Sequence, residues 1–161
     1  EKKKRIKLAV PKEPLMVVGD RDEMAQVVIN LLDNALKYSR PDSVVAVSTH
    51  AALPRDTAIQ TAMRQWPLAA RLPLTSPPVD QDRLYGVLRV EDQGDGIAAQ
   101  HLPRLAERFY RVEITASGKS GTGLGLAIVK HIVNRHRGGL VVESQPAHGT
   151  AFSVYLPQPE D

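Results

Sequence analysis

Apolar and polar residues alternate over residues 6–10, the period-two pattern of a half-buried strand. Pro11 and Pro14 interrupt it, and an apolar, strand-like run resumes over residues 15–18. Asp20 then predicts a helix N-cap, with Glu23 three residues on completing a capping box. Met24, Val28, Leu31 and Ala35 mark one face of that helix, which should stop near Ser39, Arg40 and Pro41. Residues 44–49 are short and β-branched, and residues 84–92 alternate clearly, so each stretch predicts a strand. Residues 101–110 predict a helix, 112–120 a polar loop, and 124–136 a further helix ended by Gly138 and Gly139. Two last strands, 140–143 and 151–156, flank a turn over 146–149. Strands and helices do not alternate strictly. This predicts a mixed sheet covered by helices on one face, not a doubly wound parallel sheet.

Residues 50–82 break the rhythm. Five of the chain's 12 prolines fall there (Pro54, Pro67, Pro73, Pro77 and Pro78). Ala58, Ile59, Ala62, Met63 and Trp66 recur at helical spacing before Pro67, so a short amphipathic helix is expected. The stretch reads as a surface insertion within a single domain spanning residues 1–161, with Trp66 and Met63 contributing to the core. Loop-closure entropy rises slowly with length, so replacing residues 52–80 by a short hairpin is expected to be tolerated.

Composition narrows the function classes. At 161 residues, 42% hydrophobic and 24% charged, the chain can bury one good core. No apolar run approaches the roughly 20 residues of a membrane span, and no signal peptide is recognisable. With no cysteine, disulfide and thiolate chemistry are excluded. The 21 basic and 18 acidic residues leave a net charge of +3, with clusters at residues 2–5 and at Arg104, Arg108, Arg111, Lys119 and Lys130. The first cluster reads as a solvated segment end. One Trp, four Tyr and two Phe are too few to interleave with the basic residues, which argues against nucleic-acid binding.

Three motifs carry chemistry. Gly121-Thr122-Gly123-Leu124-Gly125-Leu126 runs into an apolar helix, an arrangement that lets backbone N–H groups approach a phosphate chain at a positive helix end. Asp92-Gln93-Gly94-Asp95-Gly96 ends a strand, where a carboxylate beside glycines can accept a hydrogen bond from a base amino group. Asn30, Asn34 and Lys37 are spaced to share one helix face. Two amide oxygens there suit a hydrated Mg2+, and Lys37 adds a point charge for phosphate. Each motif alone has an ordinary reading, as a solvent face or a turn. Their order along one chain is far more specific.

Together these residues resemble the catalytic, ATP-binding domain of bacterial two-component sensor histidine kinases, within the ATPase superfamily shared by gyrase, Hsp90 and MutL. Residues 30–38 resemble the N box, Asp92-x-Gly94-x-Gly96 the G1 box, residues 107–111 the F box and residues 121–126 the G2 box, while Gly149-Thr150 resembles the last glycine motif. The resemblance implies a two-layer α/β (α+β) sandwich, the Bergerat ATP-binding fold. It implies ATP and Mg2+ as cofactors, Asn34 as the main metal ligand with Asn30 beside it, and Lys37 on phosphate. Tyr38 should pack on the base, Asp92 should bind the adenine amino group, and Arg111 should reach the γ-phosphate. Gly94, Gly96, Ile97, Thr122, Leu124, Leu126 and Thr150 should complete the nucleotide site, with Gly121, Gly123 and Gly125 shaping the phosphate side of a lid over 112–120. Two departures stand out: Ala106 replaces the usual first aromatic of the F box, and residues 50–82 are longer than the usual connection.

Position 30 separates the branches of that superfamily. By the resemblance, the ATP-hydrolysing clamps and the related Ser/Thr kinases carry a Glu there as general base. An amide cannot take a proton at neutral pH, whereas a neutral imidazole acceptor needs little activation. Asn30 therefore favours phosphoryl transfer to histidine over hydrolysis. A degenerate, non-catalytic regulatory module is the alternative, disfavoured by retention of Asn34, Asp92, Arg111 and the glycine loop. His50-Ala51-Ala52-Leu53-Pro54 imitates a phosphoacceptor only superficially, lacking the acidic residue, and His101, His131 and His136 also lack the setting. The expected partners are therefore a dimerisation and phosphoacceptor domain outside this chain and a response regulator. The domain is expected to be cytoplasmic, within a kinase that can be anchored in the inner membrane.

Overall fold

The computed structural model describes residues 5–63, 66–77, 82–110 and 124–160. Along the chain run β1 (Arg5–Ala9), α1 (Arg21–Tyr38), β2 (Val44–Pro54), α2 (Arg55–Ala62), β3 (Ala70–Thr75), β4 (Leu84–Asp92), a 3-10 helix (Ala99–Arg104), α3 (Gly125–Arg135), β5 (Gly139–Gln145) and β6 (Gly149–Pro157). The strands form one six-stranded sheet in the order β1-β2-β4-β6-β5-β3. The β1–β2 pair is parallel and the other pairs are antiparallel, so the sheet is mixed, as the pattern predicts.

Helices α1 and α3 cover one face. Val27, Leu31 and Ala35 of α1 and Val129, Ile132 and Val133 of α3 are buried against Val45, Val90, Val142, Phe152 and Val154 of the sheet. The capping box expected at α1 is half made. The Asp20 carboxylate accepts the Glu23 N–H at 2.9 Å, but the Asp20 N–H goes to His136 Nε2 at 3.0 Å, and Glu23 pairs with Arg135 at 2.7 Å. The N-cap is thus shared between two helices distant in sequence. Residues 15–18 form no strand; instead the Val18 N–H donates to the Pro157 carbonyl. The helix expected over 101–110 reduces to the 3-10 turn, because Pro103 lacks an N–H and Phe109 takes a left-handed φ of 64°. Among the described residues no helix is long and apolar enough to cross a membrane.

The sheet's other face carries the principal correction. Every residue of β6 is buried, so both faces of this central strand are covered. Ala58 and Ala62 of α2 pack on Tyr85, Val87, Val141 and Tyr155 across that second face. Beyond α2 the chain enters the sheet as β3, pairing with β5. Residues 50–82 are therefore not a surface excursion: they supply an edge strand and the cover of one sheet face, and replacing residues 52–80 by a hairpin would strip both. Trp66 is buried, as expected, with the Arg89 guanidinium 5.7 Å from its ring centre.

Beneath this cover lies an ion network. Glu143 is fully buried; one carboxylate oxygen accepts from Arg71 Nε at 2.6 Å and the other from Arg89 Nη2 at 3.0 Å. Arg89 also donates to the Ala62 carbonyl at 2.6 Å, and Arg71 to the Trp66 carbonyl at 2.9 Å. Both arginines thus tie the α2–β3 connection to β4 and β5. Removing one partner of a buried pair strands the other charge, at a cost of about 3–5 kcal/mol. Glu143→Ala should lower unfolding free energy by that amount in urea denaturation. A loss under about 1 kcal/mol, the range of exposed pairs, would refute the buried network.

Candidate functional site

The site begins where β4 leaves the sheet. Asp92 is only 5% exposed, and its Oδ1 accepts two backbone N–H groups, from Gly94 at 2.8 Å and Thr150 at 3.3 Å. Burial pushes its carboxyl up from 3.8 to about 6; the two N–H bonds oppose the rise, and the charges of Glu91 and Asp95 add to it. Oδ2 accepts from no group among the described residues. The turn after Asp92 needs its glycines. A Cβ on Gly94 would collide with the Tyr38 carbonyl, and Gly96 has a φ of 74° and leaves no room for a Cβ beside the Gln145 carbonyl. This close approach brings the end of α1 onto the turn, where Ser39 bridges Gly94.

Helix α1 contributes the second wall. Asn30, Asn34 and Lys37 are half-buried, and Tyr38 is 39% exposed at the helix end. Asn30 Nδ2 donates to the Gly125 carbonyl at 3.4 Å, so its Oδ1 is the free end of the amide. That contact joins the Asn face of α1 to the first turn of α3. Leu124 occupies the α3 N-cap without a side-chain cap, and Leu124, Gly125 and Leu126 are half-buried. Among the described residues, a Cβ on Gly125 would meet nothing within 4 Å. A helix N-terminus without a side-chain cap, beside the Asn30 amide of a face that also carries Asn34 and Lys37, suits phosphate and a hydrated cation, and a carboxylate oxygen of Asp92 suits an amino group. The residues present fit a metal-bound nucleotide.

Ile97 and Thr150 join the site through one serine that sequence reasoning missed. The Ile97 N–H donates to Ser144 Oγ at 2.7 Å, and Ser144 Oγ lies 2.8 Å from Thr150 Oγ1. A serine within a strand carries no local signal; only the register, which sets Ser144 opposite Thr150 and Thr150 opposite Asp92, reveals it. In the F box, Ala106 is buried beside Leu102 and Leu105, which anchor the segment without the aromatic; the Tyr110 hydroxyl contacts His101, and Phe109 is exposed. Arg111, Gly121, Thr122, Gly123 and the lid over 112–120 lie outside the described residues.

The raised Asp92 carboxyl has a consequence for stability. The folded state disfavours the ionised form, so its penalty is absent below about pH 4 and complete above about pH 6. The shift from 3.8 to about 6 corresponds to about 3 kcal/mol. Asp92→Asn keeps the Oδ1 acceptor without the charge. Its stability relative to the unaltered chain should therefore rise by up to about 3 kcal/mol between pH 4 and pH 7 in urea titrations. A pH-independent difference would contradict the burial of an ionising carboxyl.

Comparison with known proteins gives a consistent result. Residues 19–160 match the family of histidine kinase-, DNA gyrase B- and HSP90-like ATPases. The sensor protein SrrB of Staphylococcus aureus is 34% identical over 142 residues, which cover 88% of this chain. The chain spans only 19% of SrrB's length. Among solved structures, the mycobacterial sensor histidine kinase MprB superposes with a TM-score of 0.66 at 30% identity, over 98% of this chain and 84% of that one. The catalytic domain of the histidine kinase ThkA superposes with a TM-score of 0.66 at 20% identity, over 96% of this chain and 80% of that one, a likeness of fold. With a family match over residues 19–160 and relatives at 30% identity or more, the chain belongs to the histidine kinase-, DNA gyrase B- and HSP90-like ATPase family and is homologous to the sensor histidine kinases.

Proposed function

We propose that this chain binds Mg2+-ATP and transfers the γ-phosphoryl group to a histidine on a dimerisation domain of the same kinase, for onward transfer to a response regulator. The observation that carries this reading is the amide of Asn30 at the seam between α1 and α3, hydrogen-bonded to the Gly125 carbonyl. A carboxylate there could take a proton from water; an amide cannot. The site can therefore orient and polarise a phosphoryl group but has no base at this position for hydrolysis. An imidazole acceptor needs none.

Asp92 accepts a hydrogen bond from the adenine amino group through Oδ2, and Tyr38 at the end of α1 packs on the base. Asn34, with Asn30 one turn before it, offers amide oxygens to the cation, and Lys37 holds a positive charge toward the phosphates. Arg111 and residues 121–126 complete the phosphate end. When bound, Mg2+ neutralises charge on the transferring phosphate and fixes its orientation. The domain works in the cytoplasm on this reading.

The deciding experiment mixes this chain with the dimerisation domain of its own kinase, Mg2+ and labelled ATP. An acid-labile label on the dimerisation domain is expected, and robust ATP hydrolysis without transfer would overturn the reading. Asn34→Asp should slow transfer more than it weakens ADP binding, because metal placement acts on the transferring phosphate while the adenine end supplies much of the affinity. Equal losses in the two assays would count against Asn34 as a metal ligand. Asn30→Glu restores a base, and should raise ATP hydrolysis above the slow rate of the unaltered chain, measured by phosphate release.

A further inference from the structure

The β5–β6 turn, residues 145–149, stands between two parts of the chain that are distant in sequence. On one side it packs on the turn that follows Asp92. The Ala147 N–H donates to the Asp95 carbonyl at 2.7 Å, and Gly96 leaves no room for a Cβ beside the Gln145 carbonyl. Gly149 approaches the Asp92 carbonyl as closely, and the next residue, Thr150, donates its N–H to Asp92 Oδ1. On the other side the same turn meets the stretch between α2 and β3. The His148 ring lies edge-on to Trp66, with centroids 4.5 Å apart and planes 68° apart, and the Leu68 N–H donates to Gln145 Oε1 at 3.3 Å.

The turn does not hold this shape by itself. Ala147 has a left-handed φ of 64°, a conformation that strains an alanine and persists where its surroundings enforce it. Its N–H goes to Asp95 and its carbonyl accepts from Arg40 Nη2 at 3.0 Å, so both its polar groups are held from outside the turn. His148, the next residue, adds a further hold, and its partner is fixed. Trp66 is buried, its carbonyl accepts from Arg71 Nη2 at 2.9 Å, and the Arg89 guanidinium lies over its ring. His148 itself is exposed, so it can be replaced without opening the core.

We propose that Trp66 is a positioning residue for the nucleotide site: through His148 the segment between α2 and β3 fixes the β5–β6 turn, and that turn fixes the turn after Asp92. This rests on the nucleotide-binding reading above, and it gives residues 50–82 a part in that site beyond covering the sheet. The two chain neighbours of His148, Ala147 and Gly149, are the residues that meet Asp95 and Asp92, so a displacement of the His148 ring is felt at both. Coupling between two sites is reciprocal. Where the Trp66–His148 contact tightens the pocket, a nucleotide in the pocket tightens the Trp66–His148 contact. Trp66 is the chain's single tryptophan, so a change in tryptophan emission has one source.

Calorimetry and tryptophan emission, both followed as the full chain is titrated with ADP in the presence of Mg2+, test this. Emission from the unaltered chain should change along the same saturation curve as the heat. His148→Ala should weaken ADP about fivefold, the size of one aromatic edge contact, and abolish the emission change. His148→Phe keeps a ring against Trp66 and should restore both. A merely structural contact would lower stability in urea and leave the ADP affinity of the folded chain where it was. Unchanged ADP affinity in His148→Ala would overturn the inference, as would a loss there that His148→Phe does not repair. Emission that ignores bound ADP in the unaltered chain would overturn it too, and that measurement needs no variant to fold. Failure of the unaltered chain to bind ADP would overturn the nucleotide-binding reading itself, an outcome distinct from bound ADP with a silent Trp66.

Discussion

A central strand with no exposed residue constrains everything around it. Once β6 is buried on both faces, the sheet needs a cover on each side, and the two covers differ in kind. On the α1–α3 side it is aliphatic, held by dispersion and water exclusion. On the α2 side it surrounds Glu143, whose two carboxylate oxygens are gripped by two guanidinium groups, Arg71 on one and Arg89 on the other. Those arginines also bind carbonyls at the end of α2 and at Trp66, so neutralising the carboxylate and fastening the cover are one arrangement.

The site sits where this rigid sheet meets less regular chain. The end of β4 also holds Asp92 away from water, and its carboxyl resists ionisation in consequence. A neutral amide would be easier to bury. The chain nonetheless keeps a carboxylate at a position where its ionisation costs stability. Glu143, more deeply buried, is satisfied by its own protein; among the described residues only one oxygen of Asp92 accepts a hydrogen bond.

Local pattern made part of this legible. The cap at Asp20, the apolar stripe of α1 and the alternation over 84–92 each speak through neighbours in sequence, and the glycine motifs announce close approaches that the backbone bears out at Gly94 and Gly96. What stayed hidden is non-local. Pro73 argues against a strand, yet β3 tolerates it at the sheet edge beside a register shift. Arg89 and Glu143 are 54 residues apart, and nothing near either one names its partner. One signal is local: β6 reads Ala-Phe-Ser-Val-Tyr-Leu without a charge, the mark of a strand covered on both faces, which implies a second cover elsewhere in the chain.

The half-made capping box also ties the two covering helices to each other. Helices α1 and α3 run antiparallel and are pinned at two points, Asp20 to His136 at one end and Asn30 to Gly125 at the other. Eleven residues of α3 separate those pins, about 16 Å of stiff helix. A slide of α3 along α1 would break both contacts and the Arg135–Glu23 ion pair beside the first. The first turn of α3 therefore takes its position from α1, and through α1 from the cap at Asp20.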